Sequence, residues 1–296
     1  MKRFVLVLVV AVCRVALAEV PFTHPYQSVT VKEEVRANPP QQIYVTTIDL
    51  TDPNVQVRVS RGGADPDGEG KWQTTLMRPT KIADREGFDV VINGDFFHHL
   101  SGKDAEGAAA LKEFKSGIPA LVLGFAETDG EVWSKAEKPS HALLISRDKK
   151  ISVAKIEDVP ADAYQAIGAH DLLVRDGKNV APPADKPGFA RGPHPRTAVG
   201  VKDGGKTLVL VVVDGRKKGK ATGMSLPDLA NVMIKYGAQT AVNFDGGGSS
   251  VMAVRDPQSK KMVILNHPSD GQERSVGNVL GVSVTGKRAA TTKPTK

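Results

Sequence analysis

Residues 241–251 read Ala-Val-Asn-Phe-Asp-Gly-Gly-Gly-Ser-Ser-Val and join a short apolar run to a cluster of polar groups. Side chains alternate between the two faces of a strand, so Asn243 and Asp245 are expected on one face. Three glycines leave main-chain N–H groups open to a ligand, and two hydroxyls follow. Because a tight turn needs only one or two glycines, this stretch predicts a polar-ligand site at a strand end rather than a turn alone.

The segments before this stretch predict a helix and a hairpin. Residues 225–236 place apolar side chains on one helical stripe, with Ser225 as a candidate N-cap, a proline in the first turn and Gly237 as a stop. Residues 196–201 and 207–213 are apolar runs on either side of a glycine-rich turn, which is typical of a β-hairpin.

The rest of the chain adds many short strands, few helices and no internal repeat. Residues 55–60 alternate between valine and polar side chains, as a half-buried strand does. The pattern predicts the α+β class: a single domain with a mixed, largely antiparallel β-sheet core and few helices. We expect the domain to span residues 19–286, with its core at about 88–285.

The first residues are typical of a secretory signal peptide. Lys2 and Arg3 precede an apolar run at 4–13, and Ala-Leu-Ala at 16–18 is typical of a cleavage site. The run is too short to span a bilayer. We therefore expect residues 1–18 to be removed and the protein to be exported to the periplasm or the extracellular space, with no stable membrane span.

Charge and cysteine content exclude several functions. The leader holds three basic residues and residues 287–296 hold four, which together account for the whole formal net charge of +7. The remaining neutral domain does not predict nucleic-acid binding, and the basic end is expected to be a disordered tail. The only cysteine, Cys13, lies in the leader, so the mature chain has no disulfide, thiolate chemistry or cysteine-bound zinc.

Three carboxylates lie beside glycines at predicted strand ends. Asp95, Asp214 and Asp245 could each act as acid, base, nucleophile or hard-cation ligand, and each could equally cap a turn. Asp245 is the strongest candidate because it directly precedes the glycine run. Asn93 stands at the end of another buried run, as Asn243 does.

Two arginines and one histidine are candidates for binding an anion. The guanidinium groups of Arg196 and Arg216 match phosphate or carboxylate oxygens. A long loop rich in proline and glycine precedes Arg196 and favours it, whereas Arg216 could equally be a surface residue. His194 lies beside Arg196. No histidine pair has the His-x-x-x-His spacing of a zinc helix.

Other common motifs are absent. The glycine run lacks the lysine of a nucleotide-phosphate loop, and no Gly-x-Gly-x-x-Gly opens a helix after a strand. Position 251 is valine, so the serines do not form the Gly-x-Ser-x-Gly elbow of a serine hydrolase.

Taken in order, these clusters resemble the phosphodiester glycosidase family, whose bacterial members are often linked to exopolysaccharides. The resemblance spans about residues 90–284. It rests on Ile-Asn-Gly-Asp-Phe-Phe at 92–97, Pro-Arg-Thr-Ala-Val-Gly at 195–200, Val-Asp-Gly-Arg at 213–216, Gly-Met-Ser-Leu at 223–226, Asn-Phe-Asp-Gly-Gly-Gly-Ser-Ser at 243–250 and Arg-Ser-Val-Gly-Asn at 274–278. One departure is Asp95, where many relatives have a small residue.

The resemblance implies hydrolysis between a sugar C1 and a phosphodiester oxygen. A phosphate leaving group needs charge stabilisation more than protonation, which assigns Arg196 to the phosphate. Asp245 is the implied nucleophile, base or electrostatic partner, and Asn93 and Asn243 orient sugar hydroxyls or a water. The implied substrate-binding residues are Gly246, Gly247, Gly248, Ser249, Ser250, Asp214, Arg216, Thr197, Asp95 and His194.

The resemblance also implies partners. The expected substrate is a sugar-phosphate or phosphoglycan outside the cell or at its surface, with no cofactor required. A structural Ca²⁺ is compatible with this chemistry, and no metal ligands are assigned.

Two other functions stay open at this point. The same fold could be a glycan- or wall-polymer-binding module without catalysis. Alternatively, Asp95, Asp214, Asp245 and Asn243 could hold a hard cation in a metal-dependent phosphodiesterase that cuts P–O rather than C–O.

Overall fold

The computed structural model describes residues 21–101, 114–136, 141–160, 163–184 and 192–285. The predicted signal peptide at 1–18 and the predicted tail at 287–296 lie outside the described residues.

Twenty strands and two α-helices lie in the described ranges. The first ten strands are β1 (Val29–Ala37), β2 (Pro40–Asp49), β3 (Val55–Arg61), β4 (Thr74–Thr75), β5 (Val90–Asn93), β6 (Phe97–His99), β7 (Pro119–Val122), β8 (Ala126–Thr128), β9 (Glu131–Ser134) and β10 (His141–Ser146). The others are β11 (Ile151–Lys155), β12 (Ala163–Ala169), β13 (Asp171–Arg175), β14 (Lys178–Asn179), β15 (Arg196–Lys202), β16 (Thr207–Val213), β17 (Thr240–Asn243), β18 (Met252–Arg255), β19 (Met262–Ile264) and β20 (Asn278–Val284). The helices are α1 (Pro79–Glu86) and α2 (Leu226–Lys235).

Three larger sheets and one small sheet make up the domain. The seven-stranded sheet has the order β1-β2-β16-β15-β17-β13-β14, and the two five-stranded sheets have the orders β19-β18-β5-β20-β3 and β11-β10-β12-β8-β9. The small sheet is β4-β7-β6. Every pairing between described strands is antiparallel, which together with the two helices confirms the predicted single-domain, largely antiparallel α+β fold. Strands β1 to β3, which precede residue 88, are integral to these sheets.

One apolar core lies between the three larger sheets. Leu210 from the seven-stranded sheet, Ile92 and Leu280 from one five-stranded sheet, and Leu143 and Ile167 from the other belong to the same buried cluster. Burying side chains of this size is the dominant favourable contribution to folding.

Helix α2 covers the other face of the seven-stranded sheet, as its apolar stripe predicts. Leu229 and Met233 pack against this sheet in a second core. The Ser225 hydroxyl accepts the Asp228 N–H at 3.3 Å, which confirms the predicted N-cap and satisfies a helix-end donor. The predicted hairpin is also present, because β15 pairs with β16 along its whole length.

The glycine run joins two sheets. β17 lies in the seven-stranded sheet between β15 and β13, whereas β18 lies beside β5 in a five-stranded sheet. The chain must therefore cross from one sheet to the other between Asn243 and Met252, and Gly247–Ser249 form one turn of 3₁₀ helix at this crossing. The crossing brings the ends of β5, β15, β17 and β20 together.

A close approach between β20 and the segment before β5 gives a stability prediction. A Cβ on Gly281 would overlap the buried ring of Phe88. We expect Gly281→Ala to lower the free energy of unfolding by about 1–3 kcal/mol through overpacking, as measured by urea denaturation. In a Phe88→Leu background, which lacks the ring, Gly281→Ala should lower the free energy of unfolding by less. An equal effect of Gly281→Ala with and without Phe88 would contradict the contact between Gly281 and the ring.

Candidate active site

The main chain of Asp245 is held by the end of β5. Its N–H donates to the Gly94 carbonyl at 3.0 Å, and its carbonyl accepts from Asn93 Nδ2 at 2.7 Å. Asn93 Oδ1 accepts from the Thr197 hydroxyl at 2.8 Å and from the Val251 N–H at 3.2 Å. Asn93 and Thr197 are both fully buried and hydrogen-bonded to each other. Through Asn93 they hold the main chain at Asp245 and at Val251, the two ends of the crossing.

The carboxyl group of Asp245 combines burial with nearby cations. Burial raises its pKa from the ordinary 3.8 to about 6, because a charge is poorly solvated there. The Ser249 hydroxyl, the Arg274 and Arg216 guanidinium groups and the Gly246 N–H act in the opposite direction and favour the ionised form. An acid with a pKa near neutrality among positive groups is suited to acid–base or nucleophilic work.

Two residues close to Asp245 in sequence carry unsatisfied polar groups. Among the described residues, neither side-chain atom of Asn243 has a hydrogen-bond partner although the residue is fully buried, and the buried Ser250 hydroxyl lacks one too. Buried polar groups in folded proteins are nearly always paired, so these atoms call for a ligand or water. Of the predicted ligand-binding side chains, Ser249 acts directly on the Asp245 carboxyl group. Contacts of Asn243 and Ser250 with a substrate stay predictions.

The glycines allow two guanidinium groups to approach the main chain. A Cβ on Gly247 would lie 3.1 Å from Arg216 Nη2, and one on Gly248 would overlap the ion pair of Arg274 and Asp270. Gly247 also has a φ of +64°, which side chains rarely adopt. Of the two candidate arginines from the sequence, Arg216 is exposed and reaches the glycine run.

Arg274 is the residue that sequence reasoning did not assign to the site. Its Nε and Nη2 both contact Asp270 Oδ2, at 2.9 and 2.8 Å, and its guanidinium lies 3.7 Å from the ring centroid of Phe114. The sequence did offer one indication of this role. Asp270 and Arg274 are four residues apart, and Arg274 begins the last of the family motifs.

Arg196 is placed differently from its predicted role. The side chain is fully buried, with Nε donating to the Met224 carbonyl at 2.8 Å and Nη2 to the Gly192 carbonyl at 2.9 Å. Burial lowers its pKa to about 10. The segments of Arg196 and Asp245 do lie side by side, since Gly247 N–H donates to the Pro195 carbonyl at 2.9 Å. Direct contact with phosphate stays a prediction, whereas the observed contacts are those of a loop-positioning residue.

Asp95 is a buried acid close enough to Asp245 for the two charges to interact. Its Oδ1 accepts the Phe96 N–H at 2.7 Å, and its Oδ2 accepts the Gly124 N–H at 2.6 Å. Burial raises the pKa of Asp95 to about 7, and the charge of Asp245 adds to that rise, whereas the backbone donors and His170 oppose it. Both oxygens are engaged by the protein, so a direct bond from Asp95 to substrate stays a prediction.

Asp214 and His194 hold neighbouring loop segments in place. Asp214 accepts from the N–H of His267 at 3.0 Å and from Asn266 Nδ2 at 3.2 Å, and burial raises its pKa. His194 pairs with Met224 through the main chain, and burial together with the nearby arginines lowers its pKa, which favours a neutral ring. Substrate contacts by either residue stay predictions.

One further acid beside the site had no clear sequence signal. Asp171 lies opposite Asn243 where β13 pairs with β17, and its Oδ2 is 3.0 Å from His170 Nδ1. Its charge raises the pKa of Arg196 and offsets part of the burial effect.

Neither metal clusters nor spanning helices occur in the part of the chain that the structure describes. No group of three histidine, cysteine, aspartate or glutamate side chains there is arranged to hold a metal ion. No described helix has the length and apolar character needed to cross a membrane.

The family model described as phosphodiester glycosidase matches residues 86–283, which contain every element of this site. The match covers well over half of the chain, and the chain therefore belongs to the phosphodiester glycosidase family. This confirms the resemblance seen in the sequence motifs.

The individual relatives have low sequence identity to this chain. The chain is 29% identical over 172 residues to the SPbeta prophage-derived protein YomE of Bacillus subtilis (strain 168), a match that covers 55% of this chain and 26% of YomE. The chain thus spans about a quarter of that relative's length.

Two solved structures share the fold. The catalytic domain of zebrafish N-acetylglucosamine-1-phosphodiester α-N-acetylglucosaminidase, auto-inhibited by its pro-peptide, matches with a TM-score of 0.62 and 18% identity over 86% of this chain and 82% of that domain. A candidate exported protein of Burkholderia pseudomallei K96243 matches with a TM-score of 0.55 and 17% identity, over 82% of this chain and 74% of that chain.

The raised pKa values of Asp95 and Asp245 give a prediction about stability and pH. Their pKa values of about 7 and about 6 exceed the ordinary 3.8, so the folded state holds these protons more tightly than the unfolded chain. Their contribution is fully present below about pH 4 and is lost as the pH rises to about 7. We expect the loss of unfolding free energy between these pH values to be smaller in Asp95→Asn than in the wild type.

Denaturant titrations at several pH values measure this difference. The control is Asp176→Asn, which changes an exposed turn aspartate and should keep the wild-type dependence on pH. If the unfolding free energy of Asp95→Asn depended on pH as strongly as that of the wild type, the raised pKa of Asp95 would be contradicted.

Proposed function

We propose that this protein is a hydrolase that cleaves the bond between a sugar C1 and a phosphodiester oxygen, releasing a free sugar and a phosphomonoester. The observation that carries the proposal is the juxtaposition of the Asp245 carboxyl group and the two guanidinium groups along the glycine run. The buried, unsatisfied amide of Asn243, two residues earlier in the chain, adds to it. Membership of the phosphodiester glycosidase family supports it.

In this proposal, one set of residues acts on the phosphate and another acts on the sugar. Arg216, Arg274 and the main-chain N–H groups of the glycine run stabilise the charge that builds up on the leaving phosphate. On the sugar side, ionised Asp245 stabilises or traps the oxocarbenium-like centre, or activates water. Asn243 and the serine hydroxyls bind sugar hydroxyls or that water. Asn93 holds Asp245 in place without touching the substrate.

The setting that we propose is extracellular. The predicted leader at residues 1–18 and the fold shared with a candidate exported protein support export. A phosphoglycan at the cell surface, such as an exopolysaccharide with sugar-1-phosphodiester links, is the corresponding substrate.

Replacing the acid tests the chemical role. We expect Asp245→Asn to lower kcat/KM on a sugar-1-phosphodiester by about 10³-fold, because the neutral amide cannot stabilise positive charge or act as a base. Hydrolysis in ¹⁸O water should place the label in the sugar. Asp176→Asn is the matched control and should keep full activity.

Two results would contradict the proposal. Full turnover by Asp245→Asn would remove its central residue, and label in the phosphate would show P–O cleavage, as in a metal-dependent phosphodiesterase. Binding of the substrate with no turnover by the wild type would favour the glycan-binding alternative.

The pKa of Asp245 predicts the acid limb of the activity profile. Because ionised Asp245 is required, kcat/KM of the free enzyme should rise tenfold per pH unit below a pKa of about 6 and level off above it. Initial rates between about pH 4 and pH 8 measure this limb. A flat profile across that range would contradict the assignment of an ionised Asp245.

A further inference from the structure

A cleft of about 870 Å³ adjoins the candidate active site. Its lining includes Arg78, Lys81, Phe114, Lys115, Asp270 and Arg274. None of Arg78, Lys81 and Lys115 has a role in the chemistry proposed above, and all three are exposed at its rim.

The acids of this cleft are already engaged. Arg274 Nε and Nη2 both contact Asp270 Oδ2. The Glu273 carboxylate accepts the N–H of Thr80 at 3.0 Å as well as the Thr80 hydroxyl. Among the described residues that line the cleft, four side chains are cationic and two are carboxylates, and three of the four carboxylate oxygens have protein partners. The described lining therefore carries a net positive charge, which favours anionic ligands.

The cleft and the active site share one wall. The ion pair of Arg274 and Asp270 lies against Gly248 on the side of the active site, and the Arg274 guanidinium rests on the Phe114 ring on the side of the cleft. Arg274 thus lies between the glycine run and the cleft.

We propose that this cleft binds a second anionic group, carried by the substrate beyond the scissile phosphodiester. This inference rests on the proposed function and narrows its substrate class to chains with repeated negative charge. Arg78 and Lys81 bind the second anion, while Arg274 lies between it and the scissile phosphate.

Both side chains can be removed with little effect on folding. Arg78 is the residue before α1, and its side chain donates to exposed Gln272 at 3.2 Å. Lys81 is an exposed position of α1, where alanine is a good helix former. Thermal unfolding of Arg78→Ala/Lys81→Ala checks this directly.

Calorimetric titration of the full chain with a glycerol-phosphate trimer and with glycerol phosphate tests the proposal. The wild type should prefer the trimer, and the preference should weaken between about 0.05 and 0.5 M salt, where screening becomes strong. The ratio of trimer to monomer affinity should fall about tenfold in Arg78→Ala/Lys81→Ala. A trigalacturonate probe of similar charge distinguishes phosphate from carboxylate as the preferred anion.

The control is Lys178→Ala/Lys206→Ala, which removes two exposed lysines that do not line the cleft and should keep the wild-type ratio. A wild type with no preference for either trimer, or a ratio unchanged in Arg78→Ala/Lys81→Ala, overturns the proposal. Titrations with Asp245→Asn separate the two hypotheses, because trimer binding is independent of turnover. If no sugar-1-phosphodiester is hydrolysed but this binding pattern holds, the proposed reaction fails while the anion cleft stands.

Discussion

The Asn93 side-chain amide is the contact on which the geometry of the site depends. It is fully buried, and its oxygen and nitrogen are both engaged by partners in two segments that are distant in sequence, β15 and the crossing after β17. Removing such a group would leave buried donors and acceptors unsatisfied, each at a cost of about 1–3 kcal/mol. The amide therefore fixes where β15, the crossing after β17 and the end of β5 meet, and with them the main chain of Asp245.

A fixed main chain matters because the chemistry of Asp245 depends on opposing influences. Burial disfavours its charge, while Arg216, Arg274 and a serine hydroxyl favour it, and the balance places the pKa near neutrality. Glycine at 247 and 248 is what allows the guanidinium groups so close to the backbone. Preorganised charge of this kind stabilises a transition state without reorganising during the reaction. The adjacent basic cleft adds further cationic side chains on the far side of Arg274.

Local patterns in the sequence predicted much of the fold and the centre of the site. Helix 226–235 and the hairpin of β15 and β16 follow from caps, turn glycines and periodicity that lie within a few residues of each other. The hydrogen bonds by which Asn93 joins distant segments could not be predicted, since its partners lie more than 100 residues away. The same holds for Arg274, whose approach to Gly248 depends on how two sheets pack, and for the backbone contacts that bury Arg196.

The crossing of the glycine run between two sheets has a consequence for how function is acquired. Neither sheet alone contains the site, because β17 and β18 belong to different ones. Contacts between residues so far apart form late, after long loops have closed. A chain in which only one of these sheets has formed therefore has no complete site, so ligand binding at this site would report on assembly of both sheets.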